Sequence, residues 1–466
     1  MGYVAVRGGG RAIEESLALL EFERVMASGE VGTDDIEGMF PELIDQVMGE
    51  ASLFSPRLAA LALKQAQGSP DEAVFLLRAF RSTLERPFVS RPLDMGRMQV
   101  RRRISAAFKD VPGGQVLGST RDYSHRLLDF DLEAEDASDL AAKRAALAKH
   151  FDATGEEGAS TPGKARVARE GFPEAAGSAM AERQGADGVA SEVAREAGSP
   201  TGASSESPCS LPGEVSELSE PFPRVLDYLR DEGLVASCVP DDSPPVDATM
   251  VPLTFPAPRS VRLQTLSRGM TQAVEALGYA AIRGFGPSHP TVGELRAGRA
   301  ALAVDHPLEA GGADDAYYLG SIPVTEVESV FPVEAAGPDN AGMTFDIGYG
   351  LVIGRAESKA IAMSVLDHCL EHGDARFPTE DEEFVLYHVD GVEATGFISH
   401  LKLPHYVTFQ SKLSSVRGSV ERARGAARAT GEQEATAAGG MPEGSSSAGD
   451  GGRGDLGKGS SDAAAL

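Results

Sequence analysis

Seven basic residues lie in the segment 97–126, which has only two acidic ones and a local net charge of +5 in a chain of net charge −27. A polyphosphate needs such a local reversal of sign, because cations must outweigh the repulsion from the rest of the surface. Two glycines in the same segment lack side chains, so that backbone N–H groups could approach an anion. The pattern predicts a triphosphate site formed by Arg101, Arg102, Arg103, Lys109, Gly113 and Gly114. The alternative is that the arginines pair with the chain's own carboxylates or with an acidic partner.

Four further residues could act as a general acid or base: Asp110, Asp122, His125 and His289. The first three lie in or next to the basic segment. His289 lies in a Gly/Pro-rich loop, RGFGPSHP, after an apolar stretch, and such a loop is a plausible edge of an active site. The same loop is equally consistent with an ordinary turn, and the sequence does not rank the four residues.

A pair of histidines, His400 and His405, lies in the motif HLKLPH. Residues five apart point roughly 140° apart on a helix and to opposite faces of a strand, so neither element aims both at one ion. Pro404 imposes a bend, and both imidazoles could then converge on zinc or a similar metal. A catalytic zinc generally has three protein ligands. The third would come from His388, Asp390 or Glu393, or from another chain; the alternative is two histidines with no metal.

The overall composition excludes several classes of protein. A pI of about 4.7 argues against a nucleic-acid binder, since such proteins neutralise phosphates with Lys and Arg. The sequence has neither an apolar run of the roughly 18 residues that span a membrane nor the apolar stretch of a secretory signal at its start. The three cysteines are far apart and form no CxxC pair. We therefore expect a cytoplasmic protein with no membrane or nucleic-acid partner.

Composition also divides the chain into four parts: 1–150, 151–220, 221–417 and 418–466. Residues 151–220 and 418–466 are dominated by small and polar residues and contain few large apolar side chains, which predicts a disordered insert and a disordered tail. The first block is predicted to be mainly helical and the third to mix helices with strands. The expected fold class is therefore α+β.

Cap and periodicity signals place the individual elements. Ser55-Pro56 and Ser69-Pro70 predict the starts of helices over Leu58–Gln65 and Glu72–Leu84. In the third block, helices are predicted over Glu357–Leu370 and Asp381–His388, the latter capped by Thr379, and strands over Tyr279–Ile282, Ala300–Val304 and Gly350–Ile353. The glycines of Gly348–Gly354 are interpreted as turns on either side of a strand.

The sequence resembles a known family at these same residues. Six segments are similar to PhnI, a core subunit of the bacterial carbon–phosphorus lyase complex. They are the opening Tyr3-Val4-Ala5-Val6, EAVFLLRAFR at 72–81, RRISAAFKDVPGGQVLG at 102–118, YSHRLLDF at 123–130, RGFGPSHPTVGELRAG at 283–298 and DEEFVLYHVDGVEATGFISHLKLPHYVTFQ at 381–410. The long insert and the Gly/Ala/Ser-rich tail depart from the family.

The resemblance implies a function in alkylphosphonate breakdown together with the G, H and J subunits and the ATPase-like L subunit. A PhnI subunit is expected to displace adenine from ATP at the ribose anomeric carbon. A phosphonate oxygen is the nucleophile in the complex, which gives α-D-ribose 1-methylphosphonate 5-triphosphate from methylphosphonate; water takes its place in a nucleosidase-like reaction. The resemblance also implies that His400 and His405 bind a divalent metal, expected to be zinc, at the contact with the J subunit. A non-catalytic scaffold that contributes an ATP surface and half of the metal site is the competing hypothesis.

Overall fold

The computed structural model describes residues 9–26, 29–111, 113–118, 120–154, 223–235, 243–285, 290–306, 316–334, 342–373, 377–403 and 406–438. The apolar opening Tyr3–Val6, the predicted site residues His289 and His405, and positions 155–220 of the predicted insert lie outside the described residues.

The N-terminal part is helical. Its helices are α1 (Gly9–Val25), α2 (Thr33–Met39), α3 (Pro41–Ala51), α4 (Pro56–Gln65), α5 (Pro70–Arg81) and α6 (Ala137–Thr154). Both predicted caps are confirmed, since the Ser55 and Ser69 hydroxyls accept hydrogen bonds from the third residue of α4 and of α5 at 3.4 Å. Helices α2–α5 bury a common apolar core that includes Val47, Met48 and Leu63.

Four antiparallel strands form one sheet in the order β1-β2-β3-β4. The strands are β1 (Gln99–Ile104), β2 (Thr291–Asp305), β3 (Ala316–Glu334) and β4 (Met343–Ile353). Strand β1 comes from the block 1–150 and pairs with β2 from the block 221–417, so both blocks contribute to one sheet. The strands expected over Ala300–Val304 and Gly350–Ile353 are confirmed as parts of β2 and β4.

The strand predicted over Tyr279–Ile282 is wrong. These residues end helix α9 (Thr271–Ala280) and begin a π-helical turn, Ala281–Phe285. Val274 and Gly278, four residues apart, are buried on one face of α9. A Cβ on Gly278 would lie 2.7 Å from the Ala362 Cβ, so the glycine lets two helices approach closely. A run of four apolar residues does not by itself distinguish a strand from a buried helix end.

The helix predicted over Glu357–Leu370 is confirmed as α10 (Glu357–Glu371), and it covers one face of the sheet. Its backbone lies so close to β4 that a Cβ on Gly348 or Gly350 would be 2.0 Å from a carbonyl oxygen of α10. These glycines therefore lie inside the strand, and the prediction that they form flanking turns is wrong. Their lack of a side chain is required by the packing of α10 and not by a turn.

The remaining helices are α7 (Val225–Asp231), α8 (Arg259–Arg268), α11 (Glu382–His388), α12 (Gly391–His400) and α13 (Tyr406–Ala438). Helix α11 is confirmed, but its cap is Asp381, whose carboxylate accepts from the Phe384 N–H at 2.8 Å. Thr379, the predicted cap, is buried instead. None of the described helices is long and apolar enough to span a membrane.

The chain divides into two compact units, residues 1–395 and residues 396–466. In the second unit, α13 extends to Ala438, so the prediction of disorder is wrong for residues 418–438. This stretch is rich in Ala, Arg and Glu, which are strong helix formers. Alanine is small like glycine and serine, but unlike them it favours a helix, so a composition of small residues does not by itself indicate disorder. Residues 439–466 lie outside the described part of the chain. The α+β class is confirmed.

Candidate functional site

A row of charged side chains crosses one face of the sheet. Glu294 on β2 lies opposite Glu328 on β3, Arg296 lies opposite Glu326, and Arg103 on β1 lies opposite Arg296. Paired residues, and residues two apart along a strand, point to the same face. All five side chains are buried. We call these five residues, together with Arg224 and Tyr349, the charged row; α10 covers the opposite face.

Burial of charge on this scale requires close pairing, because an unpaired ion inside a protein loses its hydration. Arg103 forms an ion pair with Glu294, and Arg296 with Glu326. Arg224, which precedes α7, pairs with Glu328 and lies 3.5 Å from Glu326. Three arginines thus balance three glutamates.

Tyr349 on β4 extends the row to the edge of the sheet. Its hydroxyl donates a hydrogen bond to the Glu326 carboxylate at 2.9 Å. Burial and the neighbouring negative charge of Glu326 raise the pKa of Tyr349 well above its usual value. The phenol therefore stays protonated at neutral pH and fixes the position of the carboxylate.

Three polar atoms of the charged row have no hydrogen-bond partner among the described residues: Oε2 of Glu328, Nη1 of Arg296 and Nε of Arg224. Buried polar atoms are nearly always satisfied, and the exceptions tend to mark functional positions. Glu328 also lines a cavity. We take the cavity as the candidate site.

The cavity has a volume of about 300 Å³ and lies against the edge strand β4. Its wall combines apolar and charged side chains from β3, β4, α7, α8 and their flanks: Leu226, Arg230, Val235, Arg259, Leu263, Glu328, Phe345, Asp346, Ile347, Tyr349 and His372. Arg259 is held by a bidentate pair with the buried Asp367, at 3.2 and 2.6 Å. Apolar walls with a few fixed charges are typical of small-molecule sites.

The residues predicted to bind a triphosphate separate in the structure. Strand alternation sends Arg103 to the charged row, where it also donates to the carbonyl oxygens of Gly114 and Pro223 at 3.0 and 2.8 Å. Arg102 points to the other face and forms ion pairs with Glu357 at 2.8 Å and Asp122 at 3.1 Å. Both arginines are buried and have carboxylate partners in the chain itself.

The other predicted triphosphate residues lie on the surface. Arg101 and Lys109 are exposed, at the β1 side of the sheet. Gly113 and Gly114 are exposed as well and have φ values of +81° and +74°, a left-handed turn that favours glycine. The Gly114 N–H donates to the Val111 carbonyl within this turn. Two strands, β2 and β3, separate β1, which carries Arg101, from the edge strand β4 that lines the cavity.

None of the described acid or base candidates lines the cavity. Asp110 and His125 are exposed, and Asp122 bridges Arg102 and Arg126. His289, the fourth, lies outside the described residues. The predicted catalytic role of all four stays a prediction.

The HLKLPH motif begins at His400, the last residue of α12, and ends just before Tyr406, the first residue of α13. The His400 Nδ1–H donates to the Phe397 carbonyl at 2.8 Å. A backbone carbonyl in that position commonly orients a metal-binding imidazole through its other nitrogen, so His400 fits a metal ligand. His405 lies outside the described residues. Asp390, one possible third ligand, is held by Arg78 at 2.8 and 2.9 Å.

Sequence reasoning missed most of the charged row. Glu326 and Glu328 alternate with apolar residues in the sequence VTEVESV, a pattern that is typical of a half-exposed strand. The only usable signal in the sequence was that two residues of opposite charge, Glu294 and Arg296, lie two positions apart. Which face of the sheet is covered depends on long-range packing, so the burial of these charges was not accessible from the sequence.

Comparison with known proteins decides the family. A family model described as "Bacterial phosphonate metabolism protein (PhnI)" matches residues 2–423. The chain belongs to the PhnI family. The resemblance noted in the sequence is therefore confirmed.

Relatives of similar length support the assignment. The chain is 38% identical over 421 residues to the alpha-D-ribose 1-methylphosphonate 5-triphosphate synthase subunit PhnI of Escherichia coli (strain K12), covering 89% of this chain and 97% of that protein. It is 37% identical over 438 residues to the PhnI of the same description from Rhizobium meliloti (strain 1021), covering 92% and 98%. It is also 38% identical over 430 residues, covering 91% and 97%, to HtxH of Stutzerimonas stutzeri, which carries the name of a C-P lyase subunit protein.

Proposed function

We propose that this PhnI chain is a catalytic subunit of a carbon–phosphorus lyase core complex. In the proposed reaction a phosphonate oxygen forms a bond to C1′ of ATP while the bond from C1′ to adenine N9 breaks. With methylphosphonate the product is α-D-ribose 1-methylphosphonate 5-triphosphate, the compound in the names of two relatives. Water in place of the phosphonate would give a nucleosidase reaction in the isolated chain.

Glu328 is the observation that carries the proposal. Displacement at an anomeric carbon passes through an oxocarbenium-like state, which a nearby carboxylate stabilises. Oε2 of Glu328 is buried, has no hydrogen-bond partner among the described residues, and belongs to a residue that lines the cavity. Arg224 holds Glu328, and the hydrogen bond from Tyr349 holds the adjacent Glu326. The carboxylate is thus fixed before substrate binds, as electrostatic stabilisation requires.

Phosphate groups of ATP need cations near the same cavity. Arg230 and Arg259 line it and come from two different helices. They suit the triphosphate better than Arg102 and Arg103, which do not line the cavity. Arg101 and Lys109 are exposed and stay as a second proposed anion surface.

The leaving adenine must take up a proton, and His289 is the proposed donor. Thr291, two residues further along the chain, lies opposite Val330 in the sheet, and Val330 lies opposite the cavity-lining Ile347. Two residues of chain span at most about 7 Å. We choose His289 for this place next to β2 in the sequence; Asp110, Asp122 and His125 stay as alternatives.

Partner subunits are part of the proposal. The G, H, J and L subunits would assemble with this chain, and His400 and His405 would share a zinc ion with the J subunit, where the ion would act as a Lewis acid. Large apolar side chains at 123–130 are exposed, among them Leu127 at 81% and Leu128 at 78%; in the second unit Phe397 and Ile398 are 67% and 65% exposed. Exposed apolar surfaces of this kind mark protein–protein contacts.

The test is adenine release from ATP by the assembled complex with methylphosphonate present, comparing Glu328→Gln with Glu334→Gln. Both residues lie on β3, but Glu334 is exposed at the end of the strand. Removing the charge of Glu328 should lower kcat by about 10²–10³-fold, the usual effect of losing one electrostatic contact to the transition state. Gel filtration checks that both variants assemble. Unchanged kcat in an assembled Glu328→Gln complex would favour the scaffold hypothesis.

A further inference from the structure

A second cluster with the chemistry of a binding site lies at the C-terminal end of α10. His368 and His372 are four residues apart, so their imidazoles lie on one face of the helix, with ring centroids 4.4 Å apart. Asp346 faces them from β4. One potential ligand atom from each of the three residues lies within 4.8 Å of the other two.

The distances fit a metal ion. The Asp346 Oδ2 lies 3.6 Å from the His368 Nε2 and 3.1 Å from the His372 Nε2. Ligand atoms about 2.0–2.1 Å from a tetrahedral zinc ion are about 3.3 Å from each other. Small rotations of the side chains would therefore bring all three atoms into coordination.

Neighbouring groups already orient both imidazoles. The His368 ring stacks on Phe331 with centroids 3.7 Å apart and an angle of 3° between the planes. The His372 Nδ1–H donates to the His368 carbonyl at 3.2 Å, which leaves the lone pair of a neutral ring on Nε2, towards Asp346. A hydrogen bond from the other ring nitrogen to a carbonyl is the usual support of a metal-binding histidine.

The His368 Nε2 is the second, independent sign of a ligand. The residue is only 9% exposed, and this nitrogen has no hydrogen-bond partner among the described residues.

We propose that Asp346, His368 and His372 bind one divalent transition-metal ion of the zinc, cobalt and nickel class. Two imidazoles and a carboxylate are a ligand set that such ions accept. Asp346 and His372 also line the candidate cavity, so a metal ion bound by them would lie next to it. The site does not use the HLKLPH motif, and it does not depend on the proposed adenine displacement. The competing arrangement is a protonated His372 paired with Asp346 and no metal.

The test is zinc binding to the full chain after chelator treatment, measured by titration calorimetry. The parent carries His400→Ala and His405→Ala, so that the HLKLPH motif does not contribute. This parent should bind one zinc ion per chain, with His372→Ala and Asp346→Asn each weakening the affinity by about 10–100-fold. His372 is half exposed, so its removal should leave the fold intact, which circular dichroism verifies.

His388→Ala is the matched control. This histidine also lies at the end of a helix, and its Nδ1–H donates to the Phe384 carbonyl, but it belongs to no described cluster of potential ligands. The control should bind zinc as the parent does. Absence of zinc binding in the parent, or equal affinity in His372→Ala and His388→Ala, would overturn the proposal and leave the metal-free ion pair.

Discussion

Breaking the ion pair between Arg103 and Glu294 is expected to destabilise the fold strongly. Both side chains are almost fully buried, at 1% and 2% exposure. Arg103→Met would leave the Glu294 carboxylate buried without its cation, which typically costs about 3–5 kcal/mol. It also removes the donors to the Gly114 and Pro223 carbonyls, each worth about 1 kcal/mol. The expected loss in the free energy of unfolding is on the order of 5 kcal/mol.

Urea unfolding followed by circular dichroism measures this loss for Arg103→Met, for Glu294→Gln and for the double variant. The double variant should be more stable than the sum of the single losses implies, by about 2–3 kcal/mol, because it leaves no unpaired charge. Arg101→Met is the matched control: this arginine is on the same strand but exposed, and its removal should change stability by no more than about 0.5 kcal/mol.

The result that would refute this reasoning is equally specific. If Arg103→Met costs no more stability than Arg101→Met, and yet weakens ATP binding, Arg103 binds phosphate as the basic sequence pattern predicts. Strict additivity of the two single variants would likewise mean that Arg103 and Glu294 do not interact.

Three further predictions concern the packing and ionisation of the same unit. Gly350→Ala should lower the free energy of unfolding by on the order of 3 kcal/mol, because its Cβ would lie 2.0 Å from the Ala360 carbonyl oxygen. Gly10→Ala is the control: a Cβ there would have nothing within 4 Å, so the change should be neutral in urea unfolding. Equal effects of the two variants would contradict the close packing of α10. Burial raises the pKa of the Cys369 thiol to about 12. At pH 8 its alkylation by iodoacetamide, mapped by mass spectrometry, should therefore be about 10³-fold slower than that of an ordinary thiol. A normal rate would show that Cys369 is accessible to solvent. Burial lowers the pKa of Lys359 from 10.5 to about 8. Between these two pH values the unfolded chain keeps a proton on Lys359 that the folded chain has lost. The contribution of Lys359 to the free energy of unfolding therefore rises with pH, by on the order of 3 kcal/mol over this range. Lys359→Met should abolish that rise in urea midpoints measured from pH 8 to 10.5, and an unchanged pH profile would contradict the burial of the ammonium group.

Local signals predicted the helices well. Ser55 and Ser69 cap α4 and α5 because their hydroxyls satisfy N–H groups that have no partner inside the helix. The same logic failed by two residues at α11, where Asp381 and Thr379 are both suitable caps and only tertiary packing decides between them. At Tyr279–Ile282 the apolar run was too short to reveal its period.

The candidate site was less accessible from the sequence. The basic segment was recognised, but strand alternation sends Arg102 and Arg103 to opposite faces, and their carboxylate partners come from positions far along the chain. Glu328 and Tyr349 meet only because β3 pairs with β4. Such long-range pairings depend on the whole fold, and local spacing does not encode them.

Adenine release by the wild-type chain, alone and with its proposed partner subunits, tests the central claim most directly. Liquid chromatography measures adenine from ATP, and phosphorus NMR identifies the sugar product with and without methylphosphonate. The proposal predicts adenine and α-D-ribose 1-methylphosphonate 5-triphosphate in equal amounts from the complex, and adenine with ribose 5-triphosphate from the chain alone. A correctly assembled complex that releases no adenine would contradict the claim that this PhnI chain displaces adenine at the anomeric carbon.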